Sequence, residues 1–198
     1  MQQASDLKSF FQAEQYAAVR KAVPKLLCDF GINYFNLLLK AGFMRNNDAQ
    51  VEKSRVGYGI PFAETLLAQM TGMVGEVTGR QVLPTYSYTR VYFPGAEMKE
   101  HTDRESCEVS TTLTLGYNDQ KPWPIYLTDL HGKEQELLLE QGDFLIFTGS
   151  KLPHWRNVWL TAPDHWQIQV FLHYVYADGP HKENIYDGRP ALCVPRKS

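Results

Sequence analysis

The sequence predicts a mainly β protein with helices at its N-terminal end, its β part an antiparallel sandwich or barrel. Three observations carry this expectation. Up to about residue 80, apolar residues recur at helical spacing. From Thr85 the period shortens to two. About seven short strand candidates then follow closely, with no helix-length gap between them. Parallel neighbours need a long crossover, so such spacing excludes a parallel sheet.

The helical part comes first. From Val23 onward, Leu26, Leu27, Phe30, Tyr34, Leu37 and Leu38 fall on one stripe, which is expected to pack on a sheet. Pro24 suits the first turn of that helix and Gly42 its end. The polar stretch RNNDAQVEKSR reads as a loop. In PFAETLLAQMTGMVGEVTGR, residues Phe62, Leu66, Leu67, Met70, Met73, Val74 and Val77 share one side, and Gly79 stops the helix. Next, TYSYTRVYF sets Tyr86, Tyr88, Arg90 and Tyr92 on one strand face. The remaining strand candidates are VSTTLTL, PIYLT, ELLL, DFLIF, RNVWL and WQIQVFLHYVY. Turn signals such as FPG, YNDQKPWP, LHGK and EQGD separate them. One domain is expected: a helical region over 1–80 packing on the core, a β core over 81–180, and a tail over 181–198.

Composition narrows the partners. The formal net charge is -2, with 20 Lys and Arg against 22 Asp and Glu, so no basic field attracts nucleic acid or anionic lipid. Three cysteines without a CxxC spacing make neither a disulfide framework nor a thiolate zinc site. No apolar run approaches the ~18 residues a membrane span needs. The N-terminus lacks the charged-then-apolar layout of a secretory signal. A reduced, cytoplasmic protein with neither nucleic-acid nor membrane partners is expected; the oligomeric state is not readable.

The chemistry concentrates in YFPGAEMKEHTDRESCEVSTTLTLGY. His101 and Asp103 stand two residues apart, so in an extended segment both point the same way, about 6 to 7 Å apart along the chain. Alone, such a pair is more often an ordinary surface pair at a strand end. A third donor, His154, follows the strand and turn of EQGDFLIFTGSKLPHWR. Two imidazoles and one carboxylate on one face leave half an octahedron open, the layout of non-haem Fe(II) oxygenases.

PTYSYTRVYFPGAEMKEHTDRESCEVSTTLTLGYND, WPIYL, QGDFLIFTGSKLPHWR and QVFLHYV together resemble the 2-oxoglutarate and Fe(II)-dependent oxygenase superfamily, nearest its prolyl-4-hydroxylase-like branch. The likeness runs from about residue 60 to 180. It implies a double-stranded β-helix core, the jelly-roll or cupin-like fold, with His101, Asp103 and His154 as iron ligands. It also implies a dioxygenase using Fe(II), 2-oxoglutarate and O2 to hydroxylate an aliphatic C–H, releasing succinate and CO2. The substrate would be a peptide-prolyl group or a small molecule, and no motif chooses between them. An intact Asp103 implies hydroxylation over halogenation, because related halogenases carry a small residue there.

The resemblance further places Tyr92, just before the PG turn, and Thr112, on the strand after HxD, beside the cosubstrate. Each is equally an ordinary β residue. In one respect the chain departs from the family, which has Arg or Lys about ten residues after the distal histidine. Asp164 and His165 stand there instead. A buried carboxylate needs a cationic partner. The candidates, in order, are Arg156, His165 and Arg90.

Other residues read as structural: Cys107 as a small buried residue, Arg104 and Glu105 as a solvated loop, His173 as a hydrogen-bonded core or rim histidine. The missing late cation keeps two alternatives open, a cupin-like metal protein with non-oxidative activity and a non-catalytic binding module.

Overall fold

The computed structural model describes residues 4–46 and 48–195. Two antiparallel sheets face each other. The larger has seven strands in the order β1–β9–β6–β11–β4–β3–β2, and the smaller has four in the order β5–β10–β7–β8. Their spans are β1 Tyr16–Val19, β2 Arg45–Asn46, β3 Ser54–Tyr58, β4 Val82–Tyr92, β5 Met98–His101, β6 Val109–Tyr117, β7 Ile125–Thr128, β8 Glu134–Leu137, β9 Phe144–Phe147, β10 His154–Arg156 and β11 Gln167–Tyr176. From β4 to β11 the chain passes repeatedly from one sheet to the other, with β7 and β8 forming a hairpin within the smaller sheet. That winding is a double-stranded β-helix.

Strand alternation divides the larger sheet into two chemically distinct faces. Val170, Leu172 and Tyr174 of β11 and Leu113 and Leu115 of β6 join one apolar core with the helices. The opposite face turns Gln169, Phe171 and His173 towards the smaller sheet, where the register sets them opposite Thr114, Thr112 and Ser110 of β6. Between the sheets these polar residues share the space with two apolar clusters, one around Ile125, Leu127, Leu145 and Phe147 and one around Tyr92, Met98 and Trp123.

Three helices, α1 (Ala4–Glu14), α2 (Lys25–Lys40) and α3 (Pro61–Thr78), join the core of the outer face. Helix α3 begins on Pro61 at its first turn and ends at Gly79, whose φ of 73° closes the last turn through its N–H to Gly75 O. Leu67, Met70 and Val74 are its buried line, as expected. Helix α2 packs differently from its expected stripe. Its buried residues are Cys28, Gly31 and Phe35, while Leu26, Phe30 and Leu37 remain exposed. Small residues let the helix approach closely: a Cβ on Gly31 would fall 2.7 Å from the Phe62 ring.

Further expectations need correction. The first eighty residues are not wholly helical, and RNNDAQVEKSR is not wholly loop. Strand β1 pairs with β9, while β2 and β3 extend the sheet beyond β4. Edge strands leave a row of unpaired amides and carbonyls, and these short segments supply partners on both sides. The strand expected at ELLL lies two residues earlier, and that expected at RNVWL is β10, which leaves the sheet after Arg156. Among the described residues no helix is long and apolar enough to cross a membrane.

Candidate metal centre

Strand β5 ends on His101 and β10 begins on His154, and the antiparallel register pairs these two residues directly. Their rings lie 4.3 Å apart, centroid to centroid. Asp103 follows two residues after His101, and its N–H donates to Gly149 O at 2.8 Å. One ligand atom from each of His101, Asp103 and His154 lies within 4.8 Å of the others. Oδ1 of Asp103 is 3.8 Å from Nε2 of His101 and 3.7 Å from Nε2 of His154.

Both imidazoles are oriented from behind. Nδ1 of His101 bonds Lys99 O at 2.8 Å, and Nδ1 of His154 bonds Leu152 O at 3.0 Å. A carbonyl only accepts, so each Nδ1 carries a proton and each Nε2 is turned towards Asp103. Burial, the largest influence, holds the His154 pKa below its ordinary value. Burial alone would raise the Asp103 carboxyl. The facing His154 imidazole, followed by His173, the Ser110 hydroxyl and His101, brings it below the usual range instead.

Behind the carboxylate stands Ser110, whose Oγ is 2.5 Å from Oδ2 of Asp103 and 3.1 Å from Nδ1 of His173. Gly149 seals this corner. A Cβ there would fall 2.4 Å from Oδ2 of Asp103 and 2.2 Å from Oγ of Ser110.

The centre opens into a cavity of about 260 Å³ between the sheets, with Tyr86, Tyr88, Phe171 and His173 on one wall. Gln50 enters from the β2–β3 segment: its Nε2 is 2.7 Å from Nε2 of His101, and its Oε1 accepts from Arg90 at 2.5 Å. Arg90 also pairs with Asp48 at 2.6 Å. At the mouth, Arg104 stacks over Tyr86 and meets Asp187 at 3.2 Å, while the Tyr58 hydroxyl donates to Asp187 at 2.5 Å. Asp187 belongs to the C-terminal tail, which is thereby tied to two residues that line the cavity.

Of the residues expected beside a cosubstrate, Tyr92 and Arg156 lie together in the interior between the sheets. Both are essentially inaccessible, at 0% and 1% exposure, and the Arg156 guanidinium sits 5.9 Å from the Tyr92 ring centre. Nη1 of Arg156 donates to Trp123 O at 2.5 Å. Its Nε and the Tyr92 hydroxyl have no hydrogen-bond partner among the described residues, and no carboxylate pairs with this guanidinium. Burial pulls its pKa down to about 10. Thr112 points to the same interior and donates to Oε1 of Gln169 at 2.8 Å. His165 is elsewhere, beside Thr161 at 2.6 Å and Asp119 at 3.3 Å, and neither it nor Tyr92, Thr112 or Arg156 lines the cavity, whereas Arg90 does. Cys107 is buried, with its thiol pushed up to about 12 by that burial, which suits an inert packing residue.

The sequence reading missed Ser110, Gly149, Gln50 and Asp187. Strand parity was the available signal for Ser110, which shares a face with Thr112. Gln50, Gly149 and Asp187 lie in irregular segments and carry no comparable signal.

No protein-family model matches the sequence, and no curated protein matches it significantly. Solved structures do match in fold. A prolyl-4-hydroxylase from Pseudomonas putida superposes with a TM-score of 0.69 at 13% identity, covering 86% of this chain and 98% of its own. A Trichoplax adhaerens prolyl hydroxylase, solved with a peptide fragment of hypoxia inducible factor, gives 0.73 at 11% identity over 93% and 92% of the two chains. HygX from Streptomyces hygroscopicus, solved with nickel, 2-oxoglutarate and hygromycin B, gives 0.61 at 10% identity over 83% and 85%. The chain thus has the double-stranded β-helix fold of solved 2-oxoglutarate and Fe(II) oxygenases, those of the prolyl hydroxylases among them.

Proposed function

We propose that this protein is a 2-oxoglutarate- and Fe(II)-dependent dioxygenase that hydroxylates an aliphatic C–H of a small molecule or of a peptide-prolyl group. The observation that carries the reading is the facing set of His101, Asp103 and His154, three donors on one side of a cavity-lined space. Hard carboxylate and borderline imidazole donors suit a divalent first-row metal, and three ligands leave room for two further reactants.

The residues present also fit the cosubstrate. A buried guanidinium without a counter-ion is costly, and the unpartnered Nε of Arg156 and hydroxyl of Tyr92 suit an anionic ligand. Arg156 would take the far carboxylate of 2-oxoglutarate in a charge-assisted bond, with Tyr92 and Thr112 flanking it. His101, Asp103 and His154 would hold the iron. Fe(II), 2-oxoglutarate and O2 together supply the oxidising chemistry, with succinate and CO2 as co-products. The chain itself orients the donors through the Lys99 and Leu152 carbonyls and keeps bulk water from the centre with Tyr86, Tyr88 and Phe171. The three free cysteines suit a reducing, cytoplasmic setting.

Anaerobic addition of Fe(II) and 2-oxoglutarate should produce a weak visible charge-transfer band. Asp103→Ala and His154→Ala should each abolish succinate release without substrate. A protein that binds Mn(II) or Zn(II) and shows no band with 2-oxoglutarate would instead be a cupin-like metal protein.

A further inference from the structure

Ser110 makes more contacts around the centre than a packing residue needs. Its single proton has three potential acceptors: Oδ2 of Asp103 at 2.5 Å, Nδ1 of His173 at 3.1 Å and Cys107 O at 3.4 Å. A hydroxyl has one hydrogen to give. The ionised carboxylate takes it, because a charge-assisted bond is both shorter and stronger than the alternatives. Were the proton turned to Cys107 O, two oxygens bearing only lone pairs would face each other at that short distance.

The direction of the second bond follows. Ser110 has no proton left for His173, so Nδ1 of His173 must be the donor and Oγ of Ser110 the acceptor. Burial holds the His173 pKa down to about 4, so near neutral pH the ring carries one proton, and that proton is on Nδ1. The ring is fixed from two sides. It packs 4.5 Å from Tyr86, and the β6–β11 register sets His173 directly across from Ser110. On the other side of the carboxylate, Gly149 leaves space that a side chain would take from Oδ2 and from Oγ of Ser110.

Resting on the metal reading above, we propose that Ser110 is a positioning residue that commits Asp103 to ligation through one oxygen, with His173 fixing the direction of its hydroxyl. Oδ2 is occupied and Oδ1 alone faces the two Nε2 atoms. A carboxylate gripping the ion with both oxygens would take a fourth position. Single-oxygen ligation preserves the three vacancies that a two-point cosubstrate and O2 need.

The test uses Co(II) alone, titrated into the full chain and followed by its visible d–d absorption. Wild type should bind, and Ser110→Ala should bind about 10- to 100-fold more weakly, the usual cost of removing a group that orients a ligand. His173→Asn, whose side-chain amide puts an N–H near the lost Nδ1, should stay within a few-fold of wild type. His173→Leu, which has no donor, should fall with Ser110→Ala. Thermal unfolding of each metal-free variant separates folding from ligation. If wild type binds Co(II) and a folded Ser110→Ala matches it within twofold, the positioning role is overturned while the metal centre stands. If wild type binds no Co(II), the metal reading falls, and this proposal with it.

Discussion

Gln50 sets its side-chain nitrogen 2.7 Å from Nε2 of His101, the atom that a metal would need. Its oxygen is held at the same time by Arg90. The amide therefore satisfies a ligand lone pair when no ion is bound, and loading must displace it. One such hydrogen bond contributes about 1 kcal/mol net, which corresponds to roughly a fivefold change in affinity. Gln50→Ala should bind Co(II) about that much more tightly, and faster, in a stopped-flow titration. Slower or weaker binding would show that the amide assists the site instead of covering it.

Arg156 offers a test in which stability and binding move in opposite directions. Removing a buried charge that lacks a carboxylate partner relieves a desolvation cost, so Arg156→Met should melt at or above the wild-type temperature. The same change should weaken anaerobic 2-oxoglutarate binding by ~100-fold or more, the scale expected when one side of a buried charge pair is lost. Fe(II) binding should persist. Isothermal titration with each ligand reads both effects, and unchanged 2-oxoglutarate affinity would remove Arg156 from the cosubstrate site.

Gly149 has no room for a side chain beside Asp103 and Ser110. Gly149→Ala should lower stability by about 1–3 kcal/mol through overpacking, measured in urea. It should also depress Co(II) affinity more than a stability loss alone explains, because the displaced groups are the carboxylate and its hydroxyl partner.

Acid should weaken the metal-free fold before it protonates the carboxylates. Burial lowers the His173 pKa to about 4 and shifts His154 in the same direction. The unfolded chain, with histidine near 6.5, binds more protons than the folded one across this interval. Stability must then fall as pH drops from about 6.5 to about 4. Asp103, lowered in the fold, adds a further loss in the same direction, but only below the unfolded carboxylate pKa. Melting temperatures recorded across this range in the presence of a chelator should decline for wild type and decline less for His173→Asn. Parallel profiles would mean that the imidazole charges without cost.

Much of this was legible in the residues because periodicity and spacing are local. The switch from helical to alternating pattern located β4 onward, and the HxD pair with a later histidine anticipated three donors that the register then brings together. Parity set Arg156 on the face of His154 across a single intervening residue, and both side chains are buried. What escaped was set by distant contacts. Strands β1 and β3 exist because sheet edges elsewhere need partners, and neither segment announces that need. Helix α2 hid its packing face because two small residues, Cys28 and Gly31, decide the approach while the larger leucines stay outside. Asp187 lies in a tail whose position depends on residues more than a hundred places earlier.

That tail is anchored by one carboxylate. Glu64 of α3, 1% exposed, receives both Nη atoms of Arg189, the N–H of Cys193, and the N–H and hydroxyl of Ser87. Trimming the chain upstream of Arg189 would strip a buried acid of its counter-charge and take Asp187 from Tyr58 and Arg104 in the same cut. The tail's hold on two cavity-lining residues and the charge balance of a buried acid thus depend on the same short segment.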